Sequence, residues 1–327
     1  MRTFKTLRGM AVAACVAVGF SSMTAIGAMA STLKVCIPEK ESTAVVTPKA
    51  GLCKPKYTEA VLLQQAEQEK VQELLPYIKI TSSGVGGKPT IQFTGVNVQI
   101  VSGASSDTTI NGEGNLVIGN DEAAGEQTGS DNLVLGAGQT YTSYGSLLGG
   151  FGNIDHGAES VLFGSDNKVT AALGSVTGGY LNLASGDGSS VSGGYGNTAS
   201  VESSSVGGGQ GNTASGDGSS VSGGYANTAG GLDAWAGGGE ENRSGNVASS
   251  VAGGHKNKAD EVDASVTGGS ENEASGADAS VSGGSSNVAK ASDSSVSGGM
   301  SNKAEGEWSS ILGGQSITLT AKFSVSP

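Results

Sequence analysis

Residues 189–200 read Ser189-Ser190-Val191-Ser192-Gly193-Gly194-Tyr195-Gly196-Asn197-Thr198-Ala199-Ser200, and the chain repeats this phrase with small variations. The asparagine returns at Asn167, Asn182, Asn197, Asn212, Asn227, Asn242, Asn257, Asn272, Asn287 and Asn302, every 15 residues and without insertion. A looser copy at Asn153 precedes Asn167 by 14 residues. A fixed period of this size marks a solenoid, in which each unit buries its apolar side against the next. The expected fold class is an all-β solenoid of 15-residue coils over residues 146–315.

The columns of the repeat give each letter a task. One apolar column runs from Val176 to Val296 and ends on Ile311, with Ala236 as its small member. A second runs from Ala184 to Ala304, broken by Ser244. Gly-Gly stands between them, from 178–179 through 313–314. Each coil is therefore expected to hold two short strands joined at a corner, where glycine permits positive φ and close chain approach. The Asn follows that corner by three residues. Two readings are open for it: a ladder of amides bonding coil to coil, or a local cap of its own turn. About eleven coils stacked at ~4.8 Å would make a rod of ~50 Å. One Val and one Ala per coil return less than ordering the coil costs. Side-by-side association of rolls is therefore expected.

The pattern Ser-Val-x-Gly-Gly-x-x-Asn-x-Ala resembles the head repeat of trimeric autotransporter adhesins, the YadA-like left-handed parallel β-roll. The resemblance covers residues 146–315, about half the chain, and differs in having 15 residues per repeat rather than 14. It implies a homotrimer with a left-handed β-roll head, exported, and used in adhesion or as a surface spacer. No coiled-coil stalk or C-terminal membrane strands follow the repeats, so an autotransporter mechanism is not expected.

Composition agrees with a thin core. Gly numbers 56 and aromatics are 5%, so side chains able to fill a wide interior are scarce. Acids outnumber bases, 30 against 18. Such a surface is repelled by phosphate backbones and anionic bilayers, which argues against nucleic acid and membrane partners.

Residues 1–30 have the form of a secretory signal. Arg2, Lys5 and Arg8 precede a short apolar run, and Ala28-Met29-Ala30 offers a cleavage site before Ser31. A lipoprotein signal at Cys15 is the alternative. The expected localisation is extracellular or at the cell surface, without a membrane span after cleavage. Cys36 and Cys53 are then an even pair in an oxidising compartment, which favours a disulfide clipping a hairpin over residues 31–57. Its expected strands are Lys34-Val35-Cys36-Ile37 and Thr43-Ala44-Val45-Val46-Thr47. A helix is expected over residues 58–78, N-capped by Thr58 and ended near Pro76. Its apolar face is Val71, Leu74, Leu75 and Ile78 at i, i+3, i+4, i+7. Residues 79–145 read as a β transition that caps the solenoid, with alternation at Ile91 and Phe93 and then Val96, Val98 and Ile100. Larger-residue coils are expected at Leu116-Val117-Ile118 and Leu133-Val134-Leu135. Residues 316–327 read as one capping strand.

No catalytic constellation is legible, and no cofactor or metal is expected. His156 and His255 share no motif and read as loop residues. Serine is a repeat letter rather than a nucleophile elbow, and no Gly-Lys-Ser/Thr follows the glycines. Asp263, Asp278 and Asp293 share a column, as do Asp187, Glu202 and Asp217. They read as a solvated acidic edge, calcium being the alternative, although the Gly-Gly-x-Gly-x-Asp signature is absent. Tyr180, Tyr195 and Tyr225 share the place after Gly-Gly and could stack on sugars. A row of serines from Ser175 to Ser310, interrupted by Trp235, is expected to face away from Val. An ice or glycan surface is a minor reading of that row. Asn242-Arg243-Ser244 is a formal glycosylation sequon. The function expected is a non-enzymatic structural or adhesin-like protein with a host, matrix or glycan ligand. The alternative is a secreted carbohydrate-binding or carbohydrate-acting β-helix.

Overall fold

A computed structural model of the chain describes residues 32–38, 57–121 and 126–327. The expected signal sequence, the strand at Thr43–Thr47 and Cys53 lie outside the described residues, and with Cys53 the expected disulfide. The chain divides into two compact units, residues 1–98 and 99–327.

In the first unit, strand Thr32–Pro38 pairs antiparallel with strand Tyr57–Gln64, Cys36 opposite Glu59 and Ile37 opposite Thr58. This corrects the helix expected over residues 58–78. The α-helix is only Gln65–Leu74, and Thr58 is a strand residue rather than an N-cap. Tyr57, Thr58 and Val61 favour strands, and a partner strand is present to use them. The regular helical spacing begins only downstream, around Val71. Pro76 ends the helix as expected: Leu75–Tyr77 tightens into a 3-10 turn. Strand Ile78–Thr81 then pairs antiparallel with Thr90–Phe93, Ile80 opposite Ile91. Gly84-Val85-Gly86-Gly87 lies in the hairpin turn that joins these strands, with φ of +58° at Gly86 and +73° at Gly87. Val96, Val98 and Ile100 alternate but find no partner strand. They form none, and they are exposed.

The second unit is a parallel β-solenoid of about 14 turns of roughly 15 residues. Its larger sheet has 15 strands, from Leu116–Ile118 to Val325–Ser326. The smaller has 13, from Thr140–Tyr141 to Thr318–Leu319. Strand neighbours differ by one whole coil, so Val176, Val191 and Val206 stand in register, as do Ala184, Ala199 and Ala214. The first coils are shorter: Val134, Leu148, Leu162 and Val176 follow at 14-residue steps. A third line of parallel bridges joins the residues after Gly-Gly, such as Tyr180, Tyr195 and Gln210.

The interior is as narrow as the composition demands. The Val and Ala columns are fully buried, and the larger Leu148 and Leu162 are confined to the first coils. Ala236 stands where neighbouring coils have Val. Val266 and Val281 pack beside Ala264 and Ala279, the same small neighbour that Ala236 has in Ala234. Ala236→Val is therefore expected to raise stability by about 1 kcal/mol in chemical denaturation. A lower midpoint would show that this coil has closed around the smaller side chain.

Residues 316–327 correct a second expectation. Thr318–Leu319 pairs with Lys303–Ala304, and Val325–Ser326 pairs with Ser310–Ile311. The segment is one more coil, not one strand. The alternation of Ile317, Leu319, Ala321 and Phe323 imitates period two, but the backbone turns at Phe323 with φ +58°. Phe323 stacks on Trp308, centroids 6.4 Å apart.

Candidate functional site

The ten asparagines of the repeat form one buried column, each 0–1% exposed. Asn197 is representative. Its Oδ1 accepts the backbone N–H of Asn212 at 2.9 Å. Its Nδ2 donates to the Gly193 carbonyl of its own coil at 2.9 Å and to the Gly209 carbonyl of the next at 3.0 Å. The amide thus does both things that the residues left open: it closes its own corner and ties that corner to the following coil. Asparagine is suited to this because it supplies two donors and an acceptor on one short planar group. The column starts before the repeat is legible: Asn153 N–H donates to Gln139 Oε1, and Asn167 N–H donates to Asn153 Oδ1. It stops at Ile317, whose N–H donates to Asn302 Oδ1 but which has no amide to continue. The sequon asparagine, Asn242, is a member of this column and is inaccessible to modification in the folded chain.

A second polar column, which the residue letters alone do not mark, runs inside the coils. Asn132 and Ser146 N–H groups donate to Asn115 and Asn132 Oδ1. Farther along, the place is taken by Ser189, Ser204, Ser219, Ser249, Ser294 and Ser309, all buried. In all of these but Ser309, whose hydroxyl is buried without a partner, the hydroxyl closes its own turn: Ser204 Oγ accepts from Val201 N–H and donates to the Val201 carbonyl. Ala234, Ala264 and Ala279 fill the same place without it. That exchange of Ser for Ala was the available signal that the position needs a small residue, not a wet one.

Among the described residues the interior also holds one carboxyl. Asp155 takes the place of Ala in its coil and is 1% exposed. It accepts from Gly157 N–H at 3.0 Å and from Ser160 Oγ at 2.7 Å. Burial pushes its carboxyl above the ordinary range, against the opposing pull of Ser160, Ser146, the Gly157 N–H and His156. A carboxyl raised in the folded state is fully stabilising below its unfolded pKa of about 4 and loses that contribution as pH rises through the folded value. The stability of the parent minus that of Asp155→Asn should therefore fall as pH rises from about 4. Urea midpoints of both chains between acid and neutral pH measure this, and a constant difference would refute it.

The surface groups are spread out. Asp263, Asp278 and Asp293 sit at φ of 56–57°, a left-handed turn position that Gly188, Ser203 and Gly218 occupy in other coils. Asp tolerates that conformation well, so backbone geometry accounts for the acidic column. Among the described residues, no group of three or more His, Cys, Asp or Glu is placed to hold a metal. Tyr180 and Tyr195 stack, with centroids 5.7 Å apart. Tyr225 is separated from them by Gln210. His156 is exposed and lies 2.9 Å from Thr142 Oγ1, whereas His255 is half-buried beside Ser270. A groove lined by Glu241, Lys256, Lys258, Glu271 and Glu273 alternates in sign, with Lys256 3.6 Å from Glu241. Among the described residues, no helix is long and apolar enough to cross a membrane.

The geometry defines a parallel β-solenoid stitched by side-chain amides. No known protein family matches the chain, and no curated protein is similar to it.

Proposed function

We propose that this chain is an exported, non-enzymatic structural or adhesin-like protein that displays a regular β-roll surface outside the cell as a homotrimer. The observation that carries the reading is the interior. Val, Ala, Asn and small polar columns consume every inward position of the repeated coils, so that what varies is the outer surface. A scaffold of this kind supplies length and a repeating face rather than a pocket. The leader-like start, the acidic balance and the likeness to left-handed adhesin heads support export and display. Binding of the purified chain to glycan and extracellular-matrix arrays tests adhesion. A blank array would leave a spacer, and a chain retained in the cytoplasm would sink the reading altogether.

The mixed-charge groove favours a second reading, a carbohydrate-binding or carbohydrate-acting surface, since it sets Glu241, Glu271 and Glu273 among lysines. Polysaccharide binding abolished by Glu271→Gln would support it. Polysaccharide cleavage would overturn the non-enzymatic reading.

A further inference from the structure

The outer face of the 15-stranded sheet is free of charge along its whole length. Each inner strand sets one outward residue before the buried one and another after it, and the two end strands continue the same register around Val117 and Ser326, which are not fully buried. In the first coils these are Leu116 with Ile118, Leu133 with Leu135 and Val161 with Phe163. In the middle they are pairs such as Ser190 with Ser192, and at the far end Ser310 with Leu312 and Val325 with Pro327. None of these positions, on any of the 15 strands, is Asp, Glu, Lys or Arg. The face opposite is different. The corresponding positions beside the Ala column include Lys168, Arg243, Lys258, Glu273, Lys303 and Glu305. In a chain of net charge −12, one whole sheet face without a carboxylate is a segregated surface.

Its make-up is that of an interface. Charged residues are depleted at interface cores, and a few large anchors sit among small neighbours. Trp235 projects near mid-length among serines, 41% exposed, its indole N–H donating to Ser222 Oγ at 3.1 Å. Apolar side chains gather at both ends, with Ile118 57% and Leu312 59% exposed. Fifteen strands at ~4.8 Å spacing give a face ~70 Å long, and at ~10 Å width it offers roughly 700 Å². A stable complex buries about 800 Å² per partner. Two copies meeting through any acidic edge would oppose like charges; through this face they oppose none.

We infer that copies of this chain associate through the outer face of the 15-stranded sheet. The inference rests on the oligomer proposed above and names its contact surface. Trp235 is the anchor, and the serine rows permit close approach of sheet to sheet. A flat crystalline lattice is a poorer occupant, because Trp235 breaks the plane.

The test is light scattering of the purified chain at micromolar concentration, with far-UV circular dichroism as the check on folding. Ser205→Asp with Ser250→Asp places two charges on the face and should yield single chains with an unchanged β spectrum. Thr213→Asp with Thr228→Asp, on the opposite face, should leave the oligomer intact. Trp235→Ser restores the residue of neighbouring coils, so it should fold normally and weaken association at least tenfold. If the charges at Thr213 and Thr228 disperse the oligomer and those at Ser205 and Ser250 do not, the oligomer stands and this face is wrong. A monomeric parent overturns both, and its retention on ice or crystalline polysaccharide would assign the face to a lattice instead.

Discussion

Gly254→Ala should destroy the solenoid locally, whereas Gly253→Ala, one residue earlier, should be nearly silent. Gly254 has φ +94°, a conformation that L side chains adopt only with strain. A Cβ there would lie 2.2 Å from the Gly269 carbonyl oxygen and 2.5 Å from Asn257 Nδ2. That oxygen accepts two hydrogen bonds, from His255 N–H at 3.0 Å and from Asn257 Nδ2 at 2.9 Å. Moving it away from the methyl loosens both, so the cost combines backbone strain with two broken inter-coil bonds. A loss of about 4 kcal/mol or more is expected. Because each coil touches only its neighbours, the damage should split unfolding into two transitions rather than lower one. Gly253 has open space around its Cβ position. The chain contains a precedent: in the 14-residue coil, Phe163 offers its carbonyl to Asn167 Nδ2 at 2.7 Å, as the first glycine does elsewhere. Thermal melts of the two variants decide the matter. Equal effects would mean that the pair acts as one flexible hinge.

Asn212→Asp is expected to have the second largest effect, and one that depends on pH. Asn212 Nδ2 donates to the Gly208 carbonyl at 2.8 Å and the Gly224 carbonyl at 2.9 Å, fully buried. An ionised carboxylate would instead turn an oxygen toward two carbonyl oxygens. Leaving a buried charge without a partner costs roughly 3–5 kcal/mol. The folded state should respond by raising the new carboxyl above its unfolded value near 4. Below that value the acid is neutral in both states and the deficit relative to the parent is smallest. As pH rises toward the raised folded value, the deficit grows and then levels off. It should not vanish in acid, because a protonated carboxyl has one donor where the amide has two. Urea midpoints of variant and parent at each pH measure the difference. A deficit independent of pH would mean that the site opens to water.

The coil was legible because it gives each residue type one duty and repeats it. Val and Ala recur at matching steps, and a period of 15 has few interpretations. The inner serines were not legible. Ser189 and Ser190 are the same letter, yet one is fully buried and the other half-exposed, and only strand geometry separates them. Gln139 heads the amide column, but its longer side chain and the 14-residue steps of the first coils hide the kinship. The N-terminal helix is shorter than its sequence suggests because residues 57–64 are compatible with either state, and a distant strand makes the choice. The charge-free face was open to reading throughout. It needed the assignment of inside and outside at every strand before the absence of carboxylates became visible.

The register of the coils has a consequence for how such a chain can change. Deleting residues 190–204 would join Ser189 to Ser205, the same junction that the chain already makes between Ser189 and Ser190. Asn182 would then offer its amide to the corner that Asn197 now serves, and the protein would be shorter by one step of ~4.8 Å. Duplication of the same span lengthens it by that step. Length is therefore a quantity that this protein can gain or lose in whole increments through copying errors in its gene. Neither the ends nor the chemistry of the remaining coils would be disturbed.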